Sequence, residues 1–215
     1  MINIITIDRE FGSGASDIAL TLGARLGWDV WDERLTTEIA RLMECDCRTV
    51  ELLEERRDPL YYRTLKAFFR GSAEGVQNAP RLRMVDADCI RQVAERVVLA
   101  AAKDGYAVLV GRGSAYYLRN RPDAFHVFIH ASFEDKVRRL QSTGVSKHEA
   151  GELVDTVDRD RAAFAKRYFK TKWPDWHRFH LLIDSAIGDE GVVDRILHGV
   201  DMVERLSQRS AGQSR

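Results

Sequence analysis

Neither sign of charge prevails in this sequence. Its 33 basic and 33 acidic residues cancel, so no global field draws the chain to nucleic acid or to an anionic membrane. No apolar run approaches the ~20 residues that span a bilayer. Met1-Ile-Asn3 leads straight into a β-branched run, without the basic-then-apolar layout of a secretory leader. Cysteine is scarce. Cys45, Cys47 and Cys89 make an odd number in a sizeable chain, which favours a reduced, cytoplasmic protein over a disulfide scaffold. Cys45-Asp-Cys47 would be half of a thiolate metal site, and no second pair completes it. His126, His130, His148, His177, His180 and His198 show no helical H-x-x-x-H or other ligand spacing and read as core or surface residues. Internal repeats and low-complexity tracts are absent as well. What remains, at 215 residues, is one domain, or one domain with an inserted subdomain, long enough for a substantial core.

The N-terminal stretch carries the strongest signal. Asn3-Ile-Ile-Thr-Ile-Asp8 runs into Arg9-Glu-Phe-Gly12-Ser13-Gly14 and then directly into a helical pattern, with Ile18, Leu22 and Leu26 at i, i+4, i+8 and Gly27 placed to cap its end. Taken alone, Gly-Ser-Gly between strand and helix is as often a tight turn as a ligand loop. Directly after the first strand it has the layout of a phosphate-binding loop, in which successive backbone N–H groups and a helix N-terminus face an anion. A full Walker A motif reads G-x-x-x-x-G-K-[ST], with its lysine on the β/γ-phosphates and its hydroxyl on Mg²⁺. Here Arg9 stands where the first glycine belongs, Ala15 where the lysine belongs and Ser16 where the hydroxyl belongs. The loop keeps its cradle and loses its usual cation.

Five β-rich segments, 3–7, 28–31, 106–110, 125–130 and 180–184, alternate with helical ones. Val108-Leu-Val110, Val127-Phe-Ile129 and Leu181-Leu-Ile183 are near-continuous apolar runs, as expected of parallel strands buried on both faces. Ser132 and the Ser146-Lys-His-Glu149 capping box open two helices, and Val192, Ile196, Val200 and Val203 line the last one. The pattern predicts an α/β fold with right-handed crossovers. Residues 45–104 break the alternation and read as a helical, substrate-holding insertion; the tail from Ser207 reads as polar and frayed.

Two further constellations carry charge. Gly111-Arg112-Gly113 follows the strand 106–110, so its arginine emerges at the same sheet edge as the loop, with a planar fork of donors suited to phosphate. Between 159 and 172 lie six cations (Arg159, Arg161, Lys166, Arg167, Lys170, Lys172) against Asp160 alone. Such a run is ordinarily a solvated helix face. Beside a phosphate loop in a neutral chain, it fits a polyphosphate ligand better. Tyr168, Trp173, Trp176 and Phe179 cluster near its end and read as packing for its base rather than as a nucleobase platform.

Taken in order, the segments resemble the cytidylate kinase-like family, relatives of the P-loop nucleoside monophosphate kinases, over nearly the whole chain. The residues that carry the resemblance are Asp8-Arg9-Glu-Phe-Gly12-Ser13-Gly14, Trp31-Asp32-Glu33-Arg34, Val110-Gly111-Arg112-Gly113, Asp158-x-x-Arg161 with Trp173, and Ile183-Asp184-Ser185. The resemblance implies a three-layer α/β/α P-loop NTPase fold with a five-stranded parallel sheet of order 2-3-1-4-5 in one domain spanning 1–206. It also implies a lid at about 143–178 and leaves 207–215 as tail. It implies that Gly12, Ser13, Gly14, Ala15 and Ser16 wrap the phosphates of ATP, that Asp17 reaches Mg²⁺ directly or through water, and that Arg34, Arg112 and Asp158 hold the acceptor. Arg9, Arg159 and Arg161 are then the catalytic cations: Arg159 and Arg161 come from the lid to neutralise the transferred phosphoryl group, and either Arg9 or a lid arginine stands in for the missing lysine. The activity implied is γ-phosphoryl transfer from ATP to a nucleoside monophosphate, CMP or dCMP first, or to a related small phosphate acceptor, by a cytoplasmic monomer or homodimer that binds neither nucleic acid nor membrane. A nucleotide-binding sensor without turnover is the rival, favoured by Ala15; retention of Arg112, Arg159 and Arg161 favours chemistry.

Overall fold

A computed structural model describes residues 1–46 and 87–213. In chain order these residues form β1 (Ile4–Arg9), α1 (Ala15–Leu26), β2 (Asp29–Trp31), α2 (Glu33–Asp46), α3 (Ala87–Ala101), β3 (Ala107–Val110), α4 (Ser114–Tyr117), β4 (Ala124–His130), α5 (Phe133–Ser142), α6 (Lys147–Phe164), β5 (Leu181–Asp184) and α7 (Asp189–Gln213). A π-helical turn, Ala165–Phe169, continues α6.

The strands make one parallel sheet of order β2-β3-β1-β4-β5. β1 is central, with Ile7 opposite Val110 on one side and Val127 on the other. Its side chains alternate between two cores. Ile4 packs with Leu35 and Ile39 of α2 and Val93, Val97 and Val98 of α3. Ile5 and Ile7 pack with Ile18 and Leu22 of α1 and Val192 and Ile196 of α7. Period-two alternation with apolar residues on both faces is what forces helices onto each side. A third cluster joins Phe11 of the loop to Val137 and Leu140 of α5 and Ala150, Val154 and Val157 of α6.

Local signals behave as the sequence predicts. Gly27 ends α1 at φ 66° and donates its N–H to the Gly23 carbonyl. Ser132 and Ser146 accept the N–H groups of Asp135 and Glu149 as N-caps. The expected frayed tail is the exception, since α7 continues to Gln213. Of the expected helical insertion, α3 is described, and residues 47–86 lie outside the described residues.

Candidate active site

All five strands run the same way, so the turns after β1, β2 and β3 open on one sheet edge. Arg9 to Gly14 form the loop after β1. Gly14 sits at φ 77°, where a Cβ would run into the guanidinium of Arg139. From it α1 starts with four backbone donors unsatisfied by helix geometry. The mouth of this loop is lined by Arg9 to Ala15 and by Arg161.

Beside it lies a second, larger cleft, of about 690 Å³ counting its open side. Its polar floor is Asp8, Arg9, Arg112 and Arg161; Tyr116, Phe169, Trp173 and Phe179 give it apolar walls. Phe169 stacks on Tyr116 with ring centroids 4.2 Å apart. Trp173, Trp176 and Phe179 all pack around Phe128 of β4, the packing role expected for them.

The arginines are held from different elements. Arg9 ends β1 and is 3% exposed; its Nη2 stands 4.0 Å from Asp32 Oδ1. Arg112 is 5% exposed and donates from Nε and Nη2 to Thr36 Oγ1 of α2, at 3.1 and 2.6 Å. It adopts φ 56° between Gly111 and Gly113, a left-handed conformation that costs a side-chain-bearing residue ~1–2 kcal/mol. Gly111 is required there, because a Cβ would strike the Arg9 guanidinium. Arg161, one turn before the end of α6, donates from Nη1 to the Arg9 carbonyl at 2.9 Å. Burial, and then repulsion from Arg9, pushes the Arg112 guanidinium down to about 9 and that of Arg161 down to about 10. At neutral pH both stay charged. Nε and Nη2 of Arg9 and Nη2 of Arg161 are buried without a hydrogen-bond partner among the described residues. Buried donors of this kind carry a desolvation cost that a bound anion removes.

Below the loop a charged network ties it down. Lys136 of α5, 7% exposed, lies 2.9 Å from Glu10 Oε2 and 3.3 Å from Asp158 Oδ2. Asp158 also accepts the Phe11 N–H at 2.8 Å. Burial raises the Asp158 carboxyl above its usual range, even though Arg161, the Phe11 amide and Lys136 all favour its charged form.

The expected site residues therefore divide. Gly12, Ser13, Gly14, Ala15, Arg9, Arg112 and Arg161 come together. Asp158 does not line the cleft; it faces the loop. Arg159 is exposed, because about 100° of helix rotation per residue turns it off the face that Asp158 and Arg161 share. Arg34 is exposed and lies over the Trp31 ring, 4.0 Å from its centroid, away from the cleft. Asp17 is exposed on α1 and lines neither space. The pair that meets is Ser16 Oγ and Asp32 Oδ2, at 2.8 Å, with Asp32 Oδ1 buried, 4.0 Å from Arg9 Nη2 and without a hydrogen bond among the described residues. A hydroxyl beside a carboxylate whose second oxygen accepts no hydrogen bond fits Mg²⁺, which takes few protein ligands and keeps its waters. Sequence reasoning gave no site role to Asp8, Asp32, Thr36 or Lys136, although Asp8 and Asp32 lie in the motifs that carry the family resemblance. Asp8 and Asp32 had a signal, as acids at the ends of strands that flank the loop; Lys136 had none.

A model of the cytidylate kinase-like family matches residues 4–187. No curated protein matches the chain. Among solved structures, an uncharacterized protein from Eubacterium ventriosum ATCC 27560 is 21% identical over 94% of this chain and 99% of its own, with a TM-score of 0.65. A gluconokinase from Sinorhizobium meliloti 1021 is 17% identical over 99% and 98%, at a TM-score of 0.51. A shikimate kinase from Bacteroides thetaiotaomicron is 12% identical over 97% and 99%, at 0.50. Identities this low speak for the fold, which is that of P-loop kinases.

Proposed function

Because this chain belongs to the cytidylate kinase-like family, we propose that it is an ATP-dependent phosphotransferase acting on a small anionic acceptor. One observation carries the reading. Arg9 and Arg161 line both the loop mouth and the adjacent cleft, and Nε and Nη2 of Arg9 and Nη2 of Arg161 are buried with no hydrogen-bond partner among the described residues. Cations shared by two adjoining spaces suit a phosphoryl group that passes from one to the other, since neutralising its equatorial oxygens is the main catalytic task.

In this scheme the amides of Gly12 to Ser16 cradle the donor phosphates. Ser16 and Asp32 hold Mg²⁺, which when bound neutralises charge on the β- and γ-phosphate oxygens. Arg112, oriented by Thr36, takes the anionic group of the acceptor. Within the lid of residues 143–178, α6 with Arg161 is docked on the loop, and the stretch beyond it is left to close. Arg9 and Arg161 replace the lysine absent at Ala15. CMP and dCMP are the first acceptors to assay, and the names of the gluconate and shikimate kinases extend the panel to small hydroxy acids.

Ala15 supports a second reading, a nucleotide sensor without turnover. Purified protein incubated with Mg-ATP and the acceptor panel, followed by ADP release and by isolation of phosphorylated product, separates the two. Transfer to an acceptor establishes the enzyme. Tight Mg-ATP binding with transfer to none establishes the sensor.

A further inference from the structure

We propose that the acceptor attacks through a hydroxyl group and that Asp8 takes its proton. This rests on the phosphotransferase reading and specifies the acceptor: an alcohol that also carries an anionic group.

Asp8 precedes Arg9 at the end of β1 and lines the acceptor cleft, whereas the loop mouth is walled by Arg9 onward. Its carboxylate is fixed from two sides. Oδ1 accepts the Arg9 backbone N–H at 3.0 Å, and Oδ2 accepts Trp173 Nε1–H at 3.2 Å. Each oxygen retains a lone pair for a further donor. The neighbouring acids are engaged elsewhere. Asp32 accepts from Ser16, Asp158 accepts from Phe11 and pairs with Lys136, and Glu10 pairs with Lys136. Asp175, the other acid lining the cleft, accepts from Thr171 Oγ1 at 2.7 Å and pairs with Arg178 at 2.7 Å. Asp8 is thus the acid set on the acceptor side of the two shared arginines.

That placement discriminates between nucleophiles. A phosphate acceptor attacks through an oxygen that is already anionic, needs no base, and is repelled by a carboxylate beside it. An alcohol donates its O–H to the carboxylate, which orients it and receives the proton. The alcohol oxygen forms a bond to the γ-phosphorus of ATP. The bond from that phosphorus to the bridging oxygen breaks, and ADP leaves with its electron pair. The proton moves to Asp8 and then to water. The arginines beside Asp8 account for the anionic group on the same acceptor, with Arg112, bonded to Thr36, lining the cleft and not the loop mouth.

The test is a panel of ribose 5-phosphate, glycerol 3-phosphate, glycerate, CMP and dCMP with Mg-ATP, each product assigned by ³¹P NMR as a phosphate ester or a diphosphate. Asp8→Asn keeps the shape of the side chain and one of its two accepted hydrogen bonds, from Arg9 N–H or from Trp173, since the amide nitrogen cannot accept the other. The expected result is an ester product, with kcat for Asp8→Asn reduced ~10²-fold or more, partial recovery in Asp8→Glu, and unchanged ATP affinity. A diphosphate product formed equally well by Asp8→Asn overturns the alcohol acceptor and leaves the phosphotransferase standing. Binding of Mg-ATP with transfer to no member of the panel overturns both.

Discussion

Arg161 of α6 donates to the backbone carbonyl of Arg9, 2.9 Å away, so an arginine of the lid helix is bonded to the peptide of an arginine in the phosphate loop. The two guanidiniums are thereby held on one wall despite their mutual repulsion, which contributes to the lowered Arg161 value. Holding like charges together in a buried place costs free energy, and an anionic ligand recovers it.

Arg161→Ala is expected to lower turnover more than ATP affinity, since charge neutralisation strengthens toward the transition state. A donor of this kind is worth ~10²–10³ in rate, about 3–4 kcal/mol. Steady-state kinetics beside calorimetric ATP titration checks it. Equal losses in kcat and in ATP binding would reassign Arg161 to the ground state. Arg159→Ala, on the exposed face of the same helix, should leave both values nearly unchanged.

Gly14→Val should abolish ATP binding. The substitution puts a β-branched residue at φ 77° and drives its Cβ into Arg139, distorting the start of α1 where the phosphates would sit. Circular dichroism should report an intact fold, because the sheet cores do not include this position. Wild-type ATP affinity in this variant would remove the loop from the phosphate site.

Lys136→Met leaves Glu10 and Asp158 without their buried partner. Removing one member of a buried pair costs ~3–5 kcal/mol, so a large fall in the urea midpoint is expected. A fall of under 1 kcal/mol would mean that water or Arg161 compensates Asp158 after the lysine is gone.

His126 predicts acid sensitivity. Its Nδ1 is hydrogen-bonded to Thr6 Oγ1 at 2.7 Å, and burial, followed by repulsion from His180, lowers its value to about 4. The unfolded chain takes up the proton near 6.5, so this contribution is complete above that pH and is lost as pH falls toward 4. The loss reaches ~3 kcal/mol. His126→Gln should flatten the dependence of melting temperature on pH between 6.5 and 4; a slope equal to wild type would place the titration elsewhere.

Hydrogen exchange should divide the lid. Residues 154–161 pack into the Phe11 cluster and bond to the loop, so they should be protected nearly as well as β4. Residues 170–180 should exchange faster and gain protection with Mg-ATP and acceptor. Uniformly fast exchange from 143 to 178 would show that α6 is not docked.

The sequence made the fold legible because β1, β3, β4 and β5 contain apolar runs and several helix starts carry their own chemistry. Ser132 and Ser146 needed only a side-chain oxygen and a periodic pattern behind it. The loop and Arg112 were legible for a similar reason: glycines mark where backbone must turn sharply. Arg159, Arg34 and Asp17 are exposed and line neither space, which motif spacing could not foretell, because it identifies a segment and not the rotation of a helix about its axis. Arg159 and Arg161 are two residues apart and point about 160° apart around α6. Lys136 was invisible, since its partners Glu10 and Asp158 are distant in the chain and meet it only through tertiary packing.

Phe11 has a consequence for how the molecule can work. Its ring belongs to the apolar cluster of α5 and α6, while its amide is held by Asp158. Swinging α6 away as a rigid arm would pull that ring into water, at ~2–3 kcal/mol, and break the amide contact as well. The loop side of α6 is therefore a fixed jaw, and the aromatic stretch beyond the π-helical turn borders the larger cleft and not the loop mouth. In the proposed reaction an acceptor can then come and go past that stretch without α6 moving, while ADP leaves by the loop.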